Sequence, residues 1–80
     1  MLTLSKESRL TPKKVIERGV AYFGPSGFGL TLKEKDNCNA YFEGGGGSVR
    51  ITAATSKKGS SIDVESVEWD YQVQKFLDKL

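Results

Sequence analysis

The chain has 80 residues, with 12 Lys+Arg against 10 Asp+Glu, no His, one Cys and 38% hydrophobic residues. That length allows one domain, and a core this small supports roughly 3–5 kcal/mol of stability. Without His there is no Ser-His-Asp triad, Cys-His dyad, imidazole base or His metal ligand, and a lone Cys forms no internal disulfide.

Residues 2–10 alternate: Leu2, Leu4, Lys6, Ser8 and Leu10 point one way, Thr3, Ser5, Glu7 and Arg9 the other. Period 2 with Leu at both ends predicts a half-buried strand. Thr11 then reads as an N-cap and Pro12 as the first helical residue, where the missing N–H costs nothing. Ile16, Val20 and Phe23 form an apolar stripe at i, i+4 and i+7, which predicts a helix over residues 12–23. Gly24, expected in the left-handed region, and Pro25 end it, and residues 25–27 read as a turn.

The stretch that follows is strand-like. Phe28, Leu30 and Leu32 alternate with smaller or polar residues, and residues 34–37 form a polar hairpin turn. Cys38, Ala40 and Phe42 mark a third strand, and Val49, Ile51 and Ala53 a fourth. After a turn at residues 56–60, Ile62 and Val64 mark a fifth. Val67 and Trp69 are out of phase with that pair, which predicts a β-bulge or the strand's end around Glu65-Ser66. Asp70 then caps a closing helix with Trp69, Val73, Phe76, Leu77 and Leu80 on one face. Each strand has one apolar side, and the two amphipathic helices are the available cover. The predicted fold is α+β, a two-layer sandwich of order β-α-β-β-β-β-α, with a curved antiparallel sheet and both helices on one face. Its first strand sits at an edge or closes the sheet.

Candidate chemistry is sparse. Gly44, Gly45, Gly46 and Gly47 lack the lysine and the following helix of a phosphate-binding loop, so the tract reads as a structural hairpin or bend. Cys38 lies on the apolar side of its strand and is expected to be a small buried hydrophobe. Asp63, Glu65, Glu68 and Asp70 gather near the fifth strand, but no Ca²⁺-loop spacing accompanies them. They read as solvated charges protecting an edge strand. No metal, cofactor or catalytic group is expected.

Charge is uneven along the chain. Residues 1–58 carry ten basic and five acidic groups, residues 59–80 two and five. Opposite-signed ends could steer self-association or partner docking. Tyr41 beside Arg50, with Thr52, is expected on the outer face of the sheet, because Phe42, Val49, Ile51 and Ala53 are needed inside. An aromatic next to an arginine on an open sheet suits a partner protein, or more weakly a single-stranded nucleic acid.

The opening strand followed by Thr11-Pro12-Lys13-Lys14-Val15-Ile16 resembles the start of helix-grip (START-like) proteins, and the meander with a closing helix led by Trp69 fits their order. That resemblance implies a ligand cavity between sheet and helix. Family members are nearly twice as long, with more strands and a longer final helix, and no binding residue carries over.

The longest apolar run, Val20-Ala21-Tyr22-Phe23, is far short of the roughly 20 residues of a membrane span. Met1-Leu2-Thr3-Leu4 is too short for a signal peptide. The expectation is a soluble, cytoplasmic, non-enzymatic binding or protein-interaction module without a membrane partner. A miniature carrier of a small apolar ligand is the alternative, and a weak single-stranded nucleic-acid binder the third reading.

Overall fold

The computed structural model describes residues 2–25 and 27–80; Met1, and Ser26 of the expected 25–27 turn, lie outside the described residues. Seven elements follow in order: β1 (Leu2–Ser8), α1 (Pro12–Phe23), β2 (Thr31–Lys35), β3 (Asn39–Gly44), β4 (Gly47–Ser56), β5 (Gly59–Val67) and α2 (Asp70–Asp78). The strands form one open antiparallel sheet in the order β1-β5-β4-β3-β2. The meander β2–β5 is therefore continuous, and β1 takes the free edge beside β5.

Both helices cover the same face. Val15, Ile16 and Phe23 of α1 and Val73, Phe76 and Leu77 of α2 join Ala40, Phe42, Val49, Ile51, Ala53, Ile62 and Val64 of the sheet in one buried core. Thr11 Oγ1 accepts a hydrogen bond from the Lys14 N–H at 3.3 Å, so the predicted N-cap is made. At Gly19 α1 packs closely on the sheet: a Cβ there would lie 2.6 Å from Ile51 Cδ1. Three aromatic rings fill the interlayer, with Phe23 5.9 Å from Phe42 and 5.4 Å from Phe76. Lys6 points to the helix side of β1, an awkward place for a charge. Its Nζ donates to the Leu77 carbonyl at 2.6 Å, putting a cation at the negative end of α2.

Several local expectations are corrected. β1 stops at Ser8 rather than Leu10, because Ser8 Oγ accepts from the Leu10 N–H and the buried Ser60 hydroxyl donates to the Leu10 carbonyl. Gly24 has φ −71°, not a left-handed angle; glycine is needed because a Cβ would run into the Val20 carbonyl. Phe28 and Leu30 lie before β2, not in it. The N–H groups of Phe28, Gly29 and Leu30 bond back to the carbonyls of Tyr22, Gly24 and Phe23, so this segment is stitched to the end of α1. Phe28 stays half-exposed, and Leu30 is buried from a loop.

Cys38 is exposed, contrary to expectation. The Asp36 carboxylate accepts the N–H groups of Cys38 and Asn39, both at 2.7 Å, and this Asx turn holds Cys38 outside β3. The Cys38 bond first, then Asn39, holds the Asp36 carboxyl below its ordinary pKa. The turn's contribution is thus complete above the usual carboxylate range and is lost as pH falls through the lowered value.

The phase break near Glu65-Ser66 is a strand end, not a bulge. Pairing with β4 runs without slip to Val67, with Ser66 buried in phase with Ile62 and Val64. The sheet's one register shift among the described residues lies in β2, between Leu32 and Glu34. β5 is also an interior strand rather than an edge. Past its end, Glu68 adopts φ +67° and turns Trp69 back toward the core. Trp69 rather than Asp70 is the N-cap of α2, and its N–H is taken by Ser66 Oγ at 3.1 Å. A left-handed glutamate costs about 1–2 kcal/mol, only part of which glycine's extra chain entropy would offset. Glu68→Gly is expected to raise the thermal midpoint by about 2–8 °C, read by circular dichroism; an unchanged or lower midpoint would show no strain at this turn.

Candidate functional site

The face of the sheet away from the helices carries the three residues expected there. Its geometry follows from strand register: with Phe42, Val49, Ile51 and Ala53 buried, their neighbours Tyr41, Arg50 and Thr52 must point outward. Tyr41 stands directly opposite Arg50, and the guanidinium lies over the phenol ring, 4.6 Å from its centroid. Across the five strands one row reads Glu34, Tyr41, Arg50, Glu65 and Thr3. The adjacent row reads Asn39, Thr52, Asp63 and Ser5. Tyr41 and Arg50 thus occupy the centre of the open face rather than its rim.

Hydrogen bonds hold these side chains in place. The Tyr41 hydroxyl donates to Glu43 Oε2 at 3.0 Å, Thr52 Oγ1 to Asn39 Oδ1 at 3.0 Å, and Ser5 Oγ to Asp63 Oδ1 at 2.6 Å. Arg50 also reaches Glu34 at 3.9 Å, a solvent-exposed ion pair that contributes little stability. Register places the carboxylates of Glu34, Glu43, Asp63 and Glu65 on this face around Arg50, with Glu7 farther off on the edge strand β1. These residues, and Asn39, were not legible as one surface in the sequence. Only the pairing of the strands brings them together, although strict alternation along each strand carried the signal.

The acidic cluster named from sequence is divided. Asp63 and Glu65 sit on the open face, Glu68 makes the left-handed turn, and Asp70 lies in the first turn of α2. Among the described residues no group of three or more His, Cys, Asp or Glu is placed to hold a metal ion.

The glycine tract is a tight hairpin. Gly44 pairs with Gly47, and Gly45 and Gly46 between them have φ +60° and +81°, as a two-residue type I′ turn demands. The Trp69 indole lies against it: Nε1 donates to the Gly44 carbonyl at 3.0 Å. A Cβ at Gly45 would come within 2.7 Å of Trp69 Cζ2. The tract positions Trp69 and the β3–β4 end, and it has a structural explanation throughout.

On the other side, the α1–α2 surface carries a shallow apolar groove of about 230 Å³ lined by Arg18, Ala21, Tyr22, Phe76, Lys79 and Leu80. No described helix is long and apolar enough to cross a membrane. Compared with protein-family models, curated proteins and solved structures, the chain gives no significant match.

Proposed function

We propose that the protein is a non-enzymatic protein-interaction module that docks a partner protein on the open face of its sheet, with Tyr41, Arg50 and Thr52 at the centre of the contact. The observation carrying this reading is the Arg50–Tyr41 stack in the middle of an uncovered sheet. Tyr and Arg are, with Trp, the side chains enriched at energetic centres of interfaces, and here they stack on one another with the Tyr41 hydroxyl bonded to Glu43. The carboxylates of Glu34, Glu43, Asp63 and Glu65 around the stack make the face acidic, which suits a basic partner surface and selects against a polyanion. The interlayer where a carried ligand would lie in a helix-grip protein is occupied by Phe23, Phe42 and Phe76, which favours docking over carriage.

The test is affinity capture from nuclease-treated lysate on immobilised protein, followed by affinity measurement for the captured partner. Tyr41→Ala is expected to weaken binding about thirtyfold, the effect of losing a hot spot. The cross-strand pair it removes contributes at most about 1 kcal/mol, so the variant's thermal midpoint should stay within about 8 °C of wild type. Equal capture by Tyr41→Ala, or capture abolished by the nuclease, would reject this reading.

A further inference from the structure

The open sheet face and the outer side of α1 carry opposite charge, and each holds groups without a counter-ion. Asp63 and Glu65 of β5 are exposed on the open face, and Lys13, Lys14 and Arg18 are exposed on α1. Among the described residues the one ion pair is Arg50 with Glu34, so neither set has an opposite charge within 4 Å. Residues 9–18 hold four cations against a single carboxylate, Glu17. The chain is +2 overall although its open face is acidic, so the positive surplus lies on its other surfaces.

We infer that the basic surface received by the open face is the outer side of α1 in a second copy of this chain, with Lys14 and Arg18 set against Asp63 and Glu65. This rests on the docking reading above and names its partner. The spacings agree. Lys14 and Arg18 lie about 6 Å apart along a helix axis, and Asp63 and Glu65, two residues apart on one strand, about 7 Å. Exposed Ala21 continues the same side of α1 and leaves the helix free to approach a sheet. Other ways for two copies to meet are closed. Two open faces carry like charge and repel each other. The β1 edge turns its Lys6 ammonium inward, and the β2 edge is bulged and bears Lys33, Glu34 and Lys35; both devices discourage strand pairing. Because the two patches differ, the contact is head-to-tail and propagates from copy to copy. A helix of this length, about 18 Å by 10 Å, covers less than the roughly 800 Å² per partner of a standard interface, so association is weak.

Sedimentation velocity of the purified chain, from about 10 μM to about 1 mM, reads this directly. At about 10 mM salt the weight-average mass is expected to rise continuously past that of a dimer, and at about 0.5 M salt to return to monomer. Lys14→Gln with Arg18→Gln, and separately Asp63→Asn with Glu65→Gln, should each weaken association about tenfold, two exposed ion pairs at up to about fivefold each. All four side chains are exposed, so both variants should keep the fold. Mixed in equal amounts, the two variants should form a one-to-one pair and stop there, because each retains only one intact patch. A wild-type mass that is independent of concentration or levels off at dimer, variants that associate as well as wild type, or a mixture no heavier than its parts would overturn the inference. A monomeric wild type leaves the docking reading standing, since a foreign basic surface can still seat on Tyr41 and Arg50. Equal lysate capture by Tyr41→Ala removes both.

Discussion

Phe76→Ala is expected to remove about 3–5 kcal/mol of folding stability, measured by urea unfolding of purified protein. Phe76 is 2% exposed, and its ring lies 5.4 Å from both Tyr22 and Phe23. It is thus the point at which α2 is fastened to α1 as well as to the sheet. Truncation leaves a ring-sized void that α2, only nine residues long, is poorly placed to close. Since a domain of this size rarely holds more than about 3–5 kcal/mol in all, the variant should be largely unfolded at 25 °C. Phe76→Leu supplies the graded comparison. It retains most of the volume, should cost about 1–2 kcal/mol and should still unfold cooperatively. A loss under about 1 kcal/mol in Phe76→Ala would mean that α2 is not an integral part of the core.

The parts of this fold that can be read from the sequence are those where one local signal stands alone. The Thr11-Pro12 start and the 3.6-residue stripe of α1 leave no competing conformation, and its bounds, residues 12–23, are those observed. Alternation in β3 and β4 places Phe42, Val49, Ile51 and Ala53 inside, and so Tyr41, Arg50 and Thr52 outside. The failures occur where hydrogen bonding overrides an apolar pattern. Phe28 and Leu30 continue the alternation of Leu32, but their N–H groups are taken by the end of α1, and Gly29 at φ +84° breaks the extended chain. Cys38 continues the alternation of β3, but the Asp36 carboxylate captures its N–H first. The acidic character of the open face was illegible for a different reason. Glu34, Glu43 and Glu65 are far apart in sequence and meet only through the pairing of β2 to β5.

Gly47→Ala is expected to be the most damaging single substitution in the glycine tract, at about 3 kcal/mol, the upper end for overpacking a close contact. For a domain of this size that corresponds to a fall of about 12–24 °C in thermal midpoint. The reason is space rather than backbone angle. A Cβ at Gly47 would run into the Val67 carbonyl and lie 2.8 Å from Glu68 Cβ, both fixed by the end of β5. Relief requires opening the last rung of the β4–β5 ladder, Ser48 opposite Val67, just before the left-handed turn that aims Trp69. Gly46→Ala separates this cause from chain conformation, because no atom lies within 4 Å of the added carbon and only the φ of +81° resists it. That variant should lose about 1–2 kcal/mol, the ordinary penalty for a left-handed alanine. Gly45→Ala should add a spectroscopic signature, since its Cβ presses on the Trp69 ring whose Nε1 holds the Gly44 carbonyl. Displacement of the indole should shift the protein's only tryptophan emission to longer wavelength, which Gly46→Ala should leave unchanged. Equal midpoints for Gly46→Ala and Gly47→Ala would mean that the β5 end yields to the added carbon, and that the tract serves only to turn the chain.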